Sequence, residues 1–160
     1  MSIEAKLAEM NLTLPPPSPK GGVYQSMLVV GDQALFSGHV PVLPDGSMLT
    51  GRVGDEVDLE AAQVAARQVG LCILATAKDN LGSLDRIKRV VKLFGMVNCT
   101  VDFKQHPQVI NGCSELFRDL WGEDLGVGVR SAVGMGSLPG NVTVEIEGAF
   151  QVQFWLFQSV

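Results

Sequence analysis

Arg130-Ser-Ala-Val-Gly-Met-Gly-Ser-Leu-Pro-Gly-Asn-Val-Thr-Val-Glu-Ile-Glu147 is the stretch that decides the fold. Its turn residues, Leu138-Pro139-Gly140-Asn141, separate two runs with strand character, Val129 to Met135 and Val142 to Phe150. In the second run Val144, Ile146, Gly148 and Phe150 share one parity, and Thr143, Glu145 and Glu147 the other. Side chains alternate across a strand, so one face is apolar and the other polar. The alternation continues through Val152 into an apolar tail that ends at Val160. That tail reads as a continued, covered strand or as a segment packed on a partner. In the first run Arg130 shares its parity with Ala132, Gly134 and Gly136, small residues that leave room above the sheet.

Upstream, His106-Pro107 opens a helix with Ile110, Cys113, Leu116, Phe117, Leu120 and Trp121 as its apolar stripe, and Gly122 can end it. Ile87 to Thr100 is a long strand rich in Val, Leu and Phe. Leu59 to Ala77 is the clearest helix, alanine-rich on the side that holds Ala61, Ala65, Val69 and Cys72, with Asn80-Leu81-Gly82 to stop it. Val23 to Val30 and Ala34 to Ser37, joined at Gly31-Asp32, read as a hairpin, and a short strand near Met48-Leu49 follows. Ser2 can cap a short N-terminal helix carrying Ile3, Leu7 and Met10, which leads into Leu14-Pro15-Pro16-Pro17-Ser18-Pro19, an extended connector. Residues 1–19 are therefore read as helix plus connector and residues 20–160 as one domain. Two long helices against one largely antiparallel or mixed sheet give a two-layer α+β fold. The second sheet face must meet water or another subunit.

Bulk composition narrows the function classes. With 160 residues the chain suits a single domain that needs no staple. Only 18% of residues are charged, against 46% hydrophobic, which favours burial of apolar surface between subunits. Net charge is −5 and no basic run occurs, so nucleic acid is not the expected partner. Cys72, Cys99 and Cys113 fit neither a zinc knuckle nor a redox pair and read as buried free thiols. The two histidines, His39 and His106, lie far apart in sequence, and no ligand cluster has metal spacing. No phosphate-binding glycine loop or nucleophile elbow is present, so neither metal nor organic cofactor is expected. No signal peptide or membrane span is visible, and a reducing cytoplasmic setting is the expectation.

Several segments together resemble the RidA/YjgF superfamily, once grouped as endoribonuclease L-PSP. The 130–147 stretch is similar to the family's Arg-Ser-x-Val, Leu-Pro and Glu-Ile-Glu signature. Phe36-Ser-Gly-His-Val-Pro41 resembles its Ser-Gly-Gln-x-Pro strand end, and Val109-Ile-Asn111 with Phe117 its Val-Asn…Phe helix. The start of the chain and residues 82–93 look like a subgroup with an N-terminal extension. The resemblance implies a Bacillus chorismate mutase-like fold, a mixed sheet backed by two helices. It also implies a homotrimer with clefts between subunits. The best-understood members hydrolyse enamines and imines to 2-keto acids and ammonia. A non-enzymatic trimer that binds a small carboxylate or a protein partner, and an endoribonuclease, stand as alternatives.

Candidate residues follow from that resemblance and from their chemistry. Arg130 would hold a substrate carboxylate, because a guanidinium is a rigid fork of donors. Glu145 would orient water and shuttle a proton, with Glu147 beside it on the same face able to raise its pKa. Tyr24 matches a pocket tyrosine whose hydroxyl would sit near a neighbouring subunit's arginine. Ser37 and Gly38 would let the main chain approach the ligand, and Asn111 matches an asparagine near the cleft. His39 stands where glutamine is common, either bordering the pocket as a proton donor or lying on the surface. Ala132 departs from members that carry cysteine there.

Overall fold

The computed structural model describes residues 1–17 and 21–153. Its elements run α1 (Ile3–Glu9), β1 (Met27–Val30), β2 (Gln33–His39), α2 (Leu59–Leu81), β3 (Ile87–Asn98), α3 (His106–Trp121), the one-turn α4 (Glu123–Gly126), β4 (Val129–Met135) and β5 (Val144–Val152). The strands form one sheet in the order β1-β2-β5-β3-β4. Every neighbouring pair is antiparallel except β3 and β4, so the sheet is mixed. The anticipated α+β architecture, two long helices on a mixed sheet, is the one found.

Helices α2 and α3 lie over one face. Alanines at 62, 65 and 66, together with Val69, are fully buried, and small side chains let α2 sit close to its neighbours. The two helices touch at Gly112, where a Cβ would overlap the carbonyl oxygen of Gln63. Below them Phe117, Phe150, Trp121 and Phe36 form an aromatic cluster, with Phe36 and Phe150 4.8 Å apart and Phe117 and Phe150 5.5 Å apart between centroids. Rings at these separations attract beyond their buried area. Helix α1 caps the same layer: Ser2 accepts from the Ala5 N–H, Ile3 and Leu7 are buried, and Lys6 Nζ donates to the Leu120 carbonyl at 2.6 Å. The connector continues over the body with Pro15 buried as far as Pro17. Its remainder, Ser18 and Pro19, lies outside the described residues, as does the tail beyond Gln153.

The hairpin differs from its sequence reading. Strand β1 begins at Met27 rather than Val23, because Tyr24 sits in a local bend in which its hydroxyl accepts the Gly21 N–H at 3.1 Å. The segment near Met48 forms only an isolated bridge with Val42. All three cysteines are buried and none forms a disulfide among the described residues, in line with the sequence reading. Among the described residues, no helix is long and apolar enough to cross a membrane.

The uncovered sheet face is mixed: Leu28, Leu35 and Val129 are exposed by 53, 43 and 68%, and Lys92, Glu145 and Glu147 share the face with them.

Candidate functional site

The register of the central strands fixes where each candidate points. Directly paired residues project to the same side of a sheet. Arg130 pairs with buried Leu93, which pairs in turn with Gly148, so Arg130 faces the helix layer. Met96 pairs with both Glu145 and Val133, and Phe94 with both Glu147 and Ser131, so the two glutamates face the uncovered side. Within one chain the structure therefore separates Arg130 from Glu145 by the thickness of the sheet.

Arg130 lies on β4, the strand at one edge, and reaches over α3. Its Nη1 donates to Asn111 Oδ1 and to Ser114 Oγ, both at 2.9 Å, and its Nη2 to the Pro107 carbonyl at 3.2 Å. These three acceptors are neutral. The only ion pair among the described residues is Arg118 with Asp119, so the Arg130 charge has no carboxylate partner there. A guanidinium has five N–H donors. Three are engaged, which leaves Nε–H and one Nη2–H with no hydrogen bond among the described residues. Partial burial holds the Arg130 pKa below its ordinary value, although the group stays cationic. Beside it opens a hollow of about 360 Å³ whose wall includes Asn111, Ser114 and Gly128 together with the charged side chains of Glu115, Arg118 and Glu123.

On the opposite face a second hollow of about 480 Å³ is lined by Tyr24, Ser26, Ser37, Gly38, Pro139 and Glu145. A β-bulge makes it. Phe36 pairs with Gly148 and His39 with Ile146, so Ser37 and Gly38 together oppose Glu147. The extra residue lets Phe36 and His39 both turn into the helix layer while Ser37-Gly38 bows outward. The Ser37 hydroxyl donates to the Gln25 carbonyl at 2.6 Å, and its N–H to the Ser26 carbonyl at 3.0 Å, which ties the bulge to the Tyr24 bend. Glu145 lies against Gly38, is half-buried and makes no hydrogen bond among the described residues. Burial, and then the charge of Glu147, raise its pKa. Desolvation penalises an anion, and a second nearby anion penalises it further.

The bulge also decides between the two readings of His39. It lines the hollow, and its imidazole is not on the surface. It is 4% exposed, with Nε2 2.8 Å from Thr76 Oγ1 of α2 and Nδ1 2.7 Å from the Ser37 carbonyl oxygen. A carbonyl only accepts, so Nδ1 carries the proton and Nε2 accepts from the threonine hydroxyl. Burial lowers the His39 pKa, against a smaller opposing effect of that carbonyl. His39 is a structural bolt between sheet and helix at the border of the hollow.

The structure thus sorts the candidates into two groups. Tyr24, Ser37, Gly38 and Glu145 share one hollow of one chain, and Arg130 and Asn111 share the other. Ser114 and the Pro107 carbonyl were missed. Asn111 and Ser114 stand one helical turn apart, a spacing that puts both on one face, and that was the available signal. Among the described residues, no three His, Cys, Asp or Glu side chains are grouped to hold a metal ion.

Comparison with known proteins agrees with the fold. The family model described as "YjgF/chorismate mutase-like, putative endoribonuclease" matches residues 4–142. Protein TCP17 of Trypanosoma cruzi is 33% identical over 150 residues, 94% of each chain. The crystal structure of Atu1372 from Agrobacterium tumefaciens, a protein of unknown function, is 38% identical and superposes with a TM-score of 0.86, covering 95% of this chain and 94% of that one. A "putative endoribonuclease" from Shewanella oneidensis MR-1 is 26% identical, with a TM-score of 0.90 and 95 and 100% coverage.

Proposed function

Because the chain belongs to the RidA/YjgF superfamily, we propose that it hydrolyses small, reactive 2-imino acids, and the enamines that tautomerise to them, to 2-keto acids and ammonia. The observation that carries this reading is the state of Arg130. It is a half-buried cation held by three neutral acceptors, with two N–H donors left over beside a hollow. A ligand carboxylate supplies acceptors for those donors and the direct ion pair that Arg130 does not make among the described residues.

The reaction needs water at carbon and a proton at nitrogen. Arg130 grips the carboxylate beside the C=N bond. Glu145 orients a water and takes one of its protons as the oxygen adds to the imine carbon. The nitrogen gains a proton, and the carbinolamine collapses to the ketone as ammonia leaves. A carboxylate with a raised pKa suits both directions of proton transfer near neutrality. Since Arg130 and Glu145 face opposite sides of one sheet, the cleft forms between copies. One chain brings its β4–α3 edge with Arg130 and Asn111. Its neighbour brings the outer face with Tyr24, Ser37, Gly38 and Glu145. A homotrimer satisfies that arrangement and covers Leu28, Leu35 and Val129.

Polyanion cleavage is less well supported. Arg86 and Arg89, from the most basic stretch, donate to the carbonyls of Leu81 and Asp124, and the net charge is −5.

The test is keto-acid release from imines generated in situ from serine or threonine. The protein should accelerate it over buffer, and Arg130→Ala should remove most of the acceleration while the fold, checked by circular dichroism, persists. No acceleration by the unaltered protein sinks the proposal.

A further inference from the structure

We infer that Ser114 is a positioning residue that sets which edge of Arg130 meets the substrate. This inference rests on the carboxylate-gripping role proposed for Arg130.

An arginine side chain has four soft torsions and two distinct forks: the Nη1/Nη2 end and the Nε/Nη2 side. Nothing in the guanidinium itself chooses between them. Here the choice comes from α3. Asn111 Oδ1 and Ser114 Oγ, one turn apart on the same helix face, each accept one proton of Nη1 at 2.9 Å. With both Nη1 protons spent, the end fork is closed. The Pro107 carbonyl, at the N-terminal turn of the same helix, takes one proton of Nη2. Of the two forks, the Nε/Nη2 side is the one that keeps a nitrogen, Nε, with no hydrogen bond among the described residues.

Ser114 is the partner best suited to fix this orientation. Its hydroxyl sits on a short side chain within a continuous helix, with buried Cys113 before it and buried Leu116 and Phe117 after it. Its oxygen therefore has little freedom to follow the arginine. Asn111 has one torsion more and can rotate its amide. The hydroxyl is also uncharged. A carboxylate at residue 114 would hold Nη1 as firmly but would neutralise the cation that the substrate needs. The site is thus built to aim the charge without quenching it. The expected ligand is a single compact carboxylate bound side-on.

Three substitutions at one position separate aim from bulk. Ser114→Thr keeps the oxygen, Ser114→Val has the shape of threonine without it, and Ser114→Ala removes both. Binding is read with pyruvate as the probe, by calorimetric or NMR titration, and turnover by keto-acid release. Ser114→Ala and Ser114→Val should each weaken pyruvate binding about tenfold, the scale of one hydrogen bond to a charged group, and Ser114→Thr should stay within about threefold of the unaltered protein. KM should rise with kcat nearly unchanged, because the carboxylate is held alike in the ground and transition states.

If Ser114→Val and Ser114→Thr behave alike, the hydroxyl does not aim Arg130 and the inference is overturned. If Ser114→Ala binds pyruvate normally while Arg130→Ala does not, the inference fails and the role of Arg130 survives. If Arg130→Ala itself binds pyruvate normally, the proposed grip is wrong and this inference falls with it.

Discussion

Glu145 rests its carboxylate on Gly38, in the space that a Cβ at residue 38 would fill. The conflict is with the far end of a flexible side chain, and Gly38 is not among the glycines with left-handed backbone. Alanine is therefore compatible with the fold but not with the position of Glu145. Gly38→Ala should leave the thermal midpoint nearly unchanged and lower kcat for imine hydrolysis about 100-fold, the lower end of what a placed acid–base group contributes. Steady-state rates beside a melting curve check this. Full activity in Gly38→Ala would remove Glu145 from the reaction.

Glu147 bears on Glu145 through its charge. It lies two residues from Glu145 on the same face, and its negative charge adds to the effect of burial in raising the Glu145 pKa. Glu147→Gln removes that charge, so Glu145 ionises at lower pH. The acidic limb of the kcat/KM profile, which follows ionisation of the free enzyme's base, should move to lower pH while the plateau rate is retained. The stability consequence has the opposite sense. A carboxyl whose folded pKa is raised contributes stability below its unfolded pKa and loses it as pH rises through the folded value. Glu145→Gln should accordingly be more stable than the unaltered protein at pH 7, with the gain vanishing in acid. Denaturation curves at two pH values test it.

Much of this was legible in the chain and some was not. Strand and helix order followed from period-two runs such as 142–150 and from the apolar stripe of 110–121, because those patterns are local. The parity that grouped Arg130 with Ala132, Gly134 and Gly136, and Glu145 with Glu147, was also readable. Three things were not. The bulge at Ser37-Gly38 depends on how β2 pairs with β5, a contact over a hundred residues away in sequence, and it decided the fate of His39. Tyr24 lost its strand to a hydrogen bond made by its own hydroxyl. The relation of Arg130 to Glu145 across the sheet needs the order β5-β3-β4, which no single segment encodes.

His39 gives the fold a pH dependence of its own. Buried and neutral between Ser37 and Thr76, it has a folded pKa below the ordinary 6.5. Between those two values the unfolded chain binds the proton and the folded one does not, so stability rises with pH in that window. The contribution is complete above about pH 6.5 and erodes as pH falls toward the folded pKa, by up to about 1.4 kcal/mol per pH unit for one proton. His39→Gln should be less stable at pH 7, since the fit to Thr76 is lost, and should show a flatter slope between pH 6.5 and 5. Urea titrations across that range measure both. An unaltered slope would mean that another group titrates there.

The separation of Arg130 from Glu145 makes the inter-chain cleft testable without a structure of the assembly. Arg130→Ala and Glu145→Gln should each be inactive alone. In a closed ring of three, each cleft takes its arginine from one copy and its glutamate from the next. When the two variants are unfolded together in equal amounts and refolded, a cleft is complete when an Arg130-bearing copy meets a Glu145-bearing copy in the right order. Random mixing gives that for about one cleft in four, so activity should return to roughly a quarter of the unaltered level. Mixing already folded variants should restore activity only as fast as subunits exchange. If both groups served one chain's own site, every site in the mixture would lack one of them and no activity would return. Leu35→Glu, which places a charge beside the exposed Leu28 on the outer face, should give monomers in sedimentation and abolish turnover while leaving the helix content of the chain intact.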